Sequence, residues 1–149
     1  MKRFFFVLLT GCLLCAACSQ NESLTVKEFA AKLESARHPQ LLDARSAEEF
    51  DRNRIKGAIS VDMADSVALQ KVVETLNPEY PTFTYSINSG RGFILAAWLR
   101  AQGFGEVYAL PGGLAGWVGA GYPLETSGGN EQGLTVEQFR QFIRSNEWV

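Results

Sequence analysis

The chain has 149 residues, 46% of them hydrophobic and 20% charged, which is ordinary material for one globular domain. Its 14 basic against 16 acidic side chains give a net charge of −2, which excludes nucleic-acid binding by a basic surface. The cysteines are Cys12, Cys15 and Cys18, so no disulfide, thiolate metal site or redox pair can form beyond residue 18.

Lys2 and Arg3 precede the apolar run Phe4 to Leu14, which is too short to span a bilayer comfortably and ends in Ala16-Ala17 before Cys18. That pattern predicts a signal peptide over 1–17. Leu14-Cys15-Ala16-Ala17-Cys18-Ser19 resembles a bacterial lipoprotein box, which implies lipidation at Cys18, export, and a cell-envelope domain facing the periplasm. The alternatives are plain secretion and an uncleaved anchor. Cleavage would remove two basic residues and no acid, and a domain without cysteine suits an oxidising compartment. The tether 19–23 reaches at most about 17 Å when fully extended, so residues 18–23 would keep the domain near the membrane.

Thr25-Val26-Lys27-Glu28 is a capping box with Leu24 and Phe29 as its hydrophobic staple, and predicts a helix running to about Ala36, where His38-Pro39 stops it. Gln40 to Ala44 reads as a short buried strand, Ala47 to Asp51 as a helical turn, and Ala58 to Val61 as a second strand. Val67, Leu69, Val72, Val73 and Leu76 have helical spacing within Asp65 to Leu76, ended by Asn77-Pro78. A strand then leads to Ser86, a helix spans Phe93 to Arg100 and ends at Gly103-Phe104-Gly105, and Glu106 to Leu110 is a further strand. Strands alternating with helices predict a parallel sheet covered on both faces.

Between strand and helix lies the loop Ser86, Ile87, Asn88, Ser89, Gly90, Arg91, Gly92. Read from sequence it is an anion cradle: Gly90 and Gly92 allow unusual dihedrals, the amides converge, and the helix dipole adds positive charge. A cysteine at position 86 would become a reactive thiolate there, whereas a serine hydroxyl stays protonated unless a base removes its proton.

Four pieces in order resemble the rhodanese-like domain family over Leu24 to about Glu125. They are Leu41-Leu42-Asp43-Ala44-Arg45 with Glu48, Glu49 and Phe50; Ile55-Lys56-Gly57-Ala58-Ile59; the loop Ser86 to Arg91; and Leu110-Pro111-Gly112-Gly113-Leu114-Ala115-Gly116-Trp117 with Gly121-Tyr122-Pro123-Leu124. The resemblance implies an α/β rhodanese-like fold, a small parallel β-sheet flanked by helices on both faces, over 24–126. Active members carry sulfur as a persulfide on the cysteine that opens the loop. Here Ser86 takes that position, Arg91 matches the arginine that closes it, and Asn53-Arg54-Ile55 departs from the usual Gly-His-Ile. No catalytic residue, cofactor or metal ligand is therefore assigned.

Arg91 is expected to contact an oxyanion, the alternatives being a pair with a nearby carboxylate and a side chain that simply faces solvent. Asp43 and Arg45 stand at a strand's C-terminal end, where α/β ligand sites gather, but the resemblance implies that they mainly brace the loops. His38, the only histidine, precedes the first strand and belongs at the opposite edge from Ser86, which argues against a serine hydrolase. Gly112-Gly113 reads as a tight turn into the helix of Trp117, and Trp98 and Trp117 as core. After a Gly-rich linker over 127–133, Leu134-Thr135-Val136-Glu137-Gln138-Phe139 echoes Leu24 to Phe29 and predicts a helix over 134–149. Its apolar residues Val136, Phe139, Phe142 and Ile143 either pack on their own domain or dock on another chain, giving a partner or dimer contact. The overall expectation is a membrane-anchored domain that binds an oxyanion or a protein. The alternatives are an atypical sulfurtransferase and a purely structural spacer.

Overall fold

A computed structural model describes residues 24–127, 131–132 and 136–145. The signal segment, Cys18 and the second cap and staple at Thr135 and Leu134 lie outside the described residues.

Helix α1, Val26–Ser35, starts at the expected capping box: Thr25 Oγ1 accepts from the Glu28 N–H at 3.2 Å, and the Thr25 N–H donates to Glu28 at 2.7 Å. Strand β1 is Gln40–Asp43, and α2, Ala47–Arg52, carries a second capping box from Ser46 and Glu49. Strands β2, Asn53–Arg54, and β3, Ile59–Ser60, follow; then α3, Ser66–Glu74, capped by Asp65, whose carboxylate accepts from the Val67 and Ala68 amides. Strand β4 is Thr82–Tyr85, helix α4 Ser89–Ala101, strand β5 Val107–Ala109 and helix α5 Gly113–Gly119. Strands β6, Leu124–Thr126, and β7, Glu131–Gln132, and helix α6, Val136–Ser145, complete the described chain.

The main sheet is all parallel in the order β3-β1-β4-β5. Alternation along its central strands feeds two cores, because successive side chains point to opposite faces. On one face Leu41, Phe83 and Tyr85 pack with Phe29, Leu114 and Trp117 of α1 and α5. On the other, Leu42, Ala44 and Val107 pack with Leu95, Ala96 and Leu99 of α4, while Leu69, Val72 and Val73 of α3 and Trp98 cover the edge. Phe29 sets its ring edge-on to both Phe83, at 5.3 Å, and Trp117, at 6.4 Å. The fold class is the expected one.

A second, antiparallel sheet, β2-β6-β7, was not legible in the sequence. Within the linker expected over 127–133, Glu131–Gln132 pairs with Leu124 and Glu125. Arg54 and Glu125 tie β2 to β6 with a 3.0 Å ion pair. In α6, Phe139 is 2% exposed and joins the core of Phe29, Trp117 and Leu124, so this residue packs on its own domain. The side chains of Val136, Phe142 and Ile143 lie outside the described set.

Candidate functional site

The centre of the site follows from topology. Strand β4 lies inside the sheet, and its C-terminal end delivers Ser86 directly beneath the start of α4. Helix α4 begins at Ser89, four residues earlier than the sequence predicts, so the second half of the loop is its first turn. Asn88 caps it, its Oδ1 accepting from the Gly90 N–H at 3.0 Å.

This geometry corrects the roles expected of Gly90 and Gly92. Neither is among the glycines with positive φ. Gly92 is required instead by close approach, since a Cβ there would stand 3.0 Å from the backbone of Tyr85. The Thr84 hydroxyl fastens the same contact by donating to the Gly92 carbonyl at 2.8 Å.

Ser86 is fully buried. Its hydroxyl accepts from the Gly92 N–H at 3.2 Å and donates in a short hydrogen bond to the Asn88 carbonyl. Both partners are backbone groups and neither is a base, so nothing in these contacts activates the oxygen as a nucleophile. His38 lies before β1, stacked on Tyr80 at a ring distance of 5.0 Å, at the sheet's opposite edge. Two amides of the first turn of α4, those of Gly90 and Gly92, are thus satisfied by the loop's own side chains.

The loop is held from outside by α5. Leu114 N–H donates to the Ser86 carbonyl at 2.9 Å, and Ala115 N–H to the Ile87 carbonyl at 3.3 Å. Gly112 N–H donates to the Ser89 hydroxyl at 2.8 Å. Gly112 and Gly113 both take positive φ, as the expected turn requires, and Gly113 is also pressed flat against the loop. Ile87 is half-buried against the core around Phe83.

Arg91 projects from the first turn of α4, 38% exposed, and its Nη2 pairs with Glu49 Oε2 at 3.1 Å. Glu49 is also the reciprocal cap of α2. Burial pushes the Glu49 carboxyl upward, but the Ser46 amide and the Arg91 guanidinium outweigh it and hold its pKa below the ordinary value. The sequence matched Glu49 to a motif without identifying it as the partner of Arg91, 42 residues away.

Asp43 and Arg45 form a fully buried, forked ion pair at 2.6 Å, with Arg45 Nε donating to Asp43 Oδ1 at 2.9 Å. Arg45 also donates to the Asn53 carbonyl and, at 3.3 Å, to Asn53 Oδ1, and its guanidinium lies 5.9 Å from the Tyr85 ring centre. Tyr85 in turn accepts from the Ile55 N–H at 3.1 Å. Burial, then the Asp43 charge, push the Tyr85 phenol well above its usual pKa. The network therefore links the ends of β1 and β4 to β2, one residue before Ser86. Asn53 and Tyr85 are members that sequence reasoning missed; the buried Arg45 is the signal that such acceptors had to exist.

The model of the rhodanese-like domain matches residues 25–120. The chain is 35% identical over 89 residues to the thiosulfate sulfurtransferase GlpE of Actinobacillus succinogenes, covering 60% of this chain and 78% of that protein. It is 34% identical over 98 residues to protein YqhL of Bacillus subtilis, covering 66% and 73%. Among solved structures, the Alr3790 protein of Anabaena sp. aligns with a TM-score of 0.60 at 22% identity, covering 83% of this chain and 89% of that one, a likeness of fold alone. A thiosulfate sulfurtransferase from Pseudomonas aeruginosa aligns with a TM-score of 0.59 at 26% identity, covering 81% of this chain and 23% of that one.

Proposed function

The chain belongs to the rhodanese-like domain family, and on that premise we propose that it is an exported, lipid-anchored domain that carries no sulfur and binds an oxyanion at the rim of its Ser86–Gly92 loop. One observation carries the reading. The side chain that opens the loop is a buried hydroxyl whose proton and acceptor are both committed to backbone groups. A protein persulfide needs a sulfur atom that can leave as a thiolate, and a hydroxyl offers neither.

Arg91 supplies the positive charge at the rim. Its pair with Glu49 is partly exposed on the arginine side, so an incoming oxyanion can compete with that carboxylate for the guanidinium while Glu49 keeps its bonds to Ser46. The anchor is supported by Lys2-Arg3, the apolar run after them and Ala16-Ala17-Cys18, and it places the domain in the cell envelope, facing the periplasm. A second reading, an active sulfurtransferase with an atypical loop, is favoured by the two relatives named thiosulfate sulfurtransferase.

Thermal unfolding in sulfate or phosphate tests the binding reading. A ligand selective for the native state, at about ten times its Kd, adds about 1.4 kcal/mol and raises the midpoint by a few degrees. We expect that rise at millimolar anion in the native chain and its loss in Arg91→Ala. No rise, or an equal rise in Arg91→Ala, would overturn the anion site and leave the domain as a spacer or protein-binding module.

A further inference from the structure

The end of the sheet that carries the Ser86 loop is also the end at which the chain leaves the domain toward its N-terminus. Helix α1 runs antiparallel to β1, to which residues 36–39 join it directly, so its first residue lies at the C-terminal edge of the strands. Contacts agree. A Cβ on Gly116 of α5 would stand 3.3 Å from Val26 Cγ2, and the first residue of α5, Gly113, lies against the Ser86 and Asn88 carbonyls. The far edge, with His38 and Tyr80, is roughly 15 Å away along α1 at the rise of a ten-residue helix.

Exposed apolar side chains gather at the same end. Five large ones are exposed among the described residues, and three of them lie near the starts of two helices: Val67 in the first turn of α3, Phe93 and Ile94 in the second turn of α4. Both helices follow strands of the parallel sheet, so both begin at its C-terminal edge, on the face away from α1. Ile94 is 60% exposed and Val67 62%. Helical side chains lean toward the N-terminus, which tips all three toward the loop edge.

We propose that the loop edge of the domain is turned toward the lipid bilayer, with Phe93, Ile94 and Val67 resting in the interfacial layer. The inference rests on the anchor at Cys18 proposed above. Residues 19–23 can span at most about 17 Å, so the edge at which they enter the domain cannot be held far from the lipid. The same edge carries both signs, with Glu48, Asp62 and Asp65 beside Arg91 and Arg52, so no basic patch draws it to an anionic surface and the contact rests on the apolar side chains, which suits a zwitterionic one.

The test uses the full lipidated chain in phosphatidylcholine vesicles that contain a nitroxide-bearing phospholipid. Lipidation blocks Cys18 and removal of 1–17 takes the other cysteines, so Ile94→Cys or Glu79→Cys introduces the one thiol a fluorophore can label. Both positions are exposed, and Glu79 is beside Tyr80 at the far edge. We expect the label at 94 to be quenched at least twofold more strongly than the label at 79. Equal quenching, or stronger quenching at 79, in a chain shown by intact mass to be acylated would overturn the orientation alone. A mass without the acyl group would overturn the anchor and the orientation with it.

Discussion

Arg45→Ala should lower the unfolding stability of this domain by about 3–5 kcal/mol, because it leaves the Asp43 carboxylate buried without its partner. Both side chains are fully inaccessible, and Arg45 supplies the only positive charge described against the Asp43 carboxylate, through the forked pair and the bond from its own amide. Loss of the guanidinium also frees the Asn53 carbonyl and its amide oxygen, so β2 loses its tie to β1. Arg45→Lys should recover only part of the loss, since an ammonium cannot reproduce the fork or the reach to Asn53. Urea unfolding reads the effect as a lower midpoint. A loss below about 1 kcal/mol, typical of an exposed pair, would mean that the network is not the buried brace described.

Gly113→Ala should be nearly as damaging, costing about 2–5 kcal/mol. Two costs combine: a left-handed backbone at φ 56°, worth about 1–2 kcal/mol for a residue with a Cβ, and overpacking, worth about 1–3. The added Cβ would meet the Ser86 and Asn88 carbonyl oxygens at 2.5 Å, and both belong to backbone that cannot rotate aside. Gly112→Ala is the control. It shares the positive φ, but its closest contact is 3.3 Å, so it should cost only about 1–2 kcal/mol. Equal effects at the two positions would show that turn conformation alone matters there and that α5 does not clamp the loop.

Much of this architecture was legible, for identifiable reasons. Helix α1 announces itself through its capping box, Thr25 with Glu28, and α3 through the helical spacing of Val67, Leu69, Val72 and Val73. Strands β1 and β4 are short apolar runs with turn residues around them. Strands β2, β6 and β7 gave no signal, being two or three residues long and carrying polar residues such as Asn53, Glu125 and Gln132. Their pairing exists only once Arg54 and Glu125, 71 residues apart, meet. The start of α4 was misplaced because two glycines in a polar stretch read as loop. Only the three-dimensional approach to Tyr85 explains why Gly92 belongs inside a helix.

The site divides in the same way. The position of Ser86 at the head of the loop, and the expectation that Asp43 and Arg45 brace it, come from the residues and their resemblance. That the hydroxyl turns inward to Asn88 and Gly92, and that Arg91 rests on Glu49, depends on contacts that no local pattern encodes.

The most direct measurement is sulfur transfer from thiosulfate to cyanide by the soluble chain from Ser19 onward, with Ser86→Cys assayed beside it. The account predicts no thiocyanate above background from the native chain and turnover from the cysteine variant, because the loop is intact and only the sulfur is missing. Reproducible turnover by the native chain would contradict it, since the buried Ser86 hydroxyl would then belong to a working enzyme.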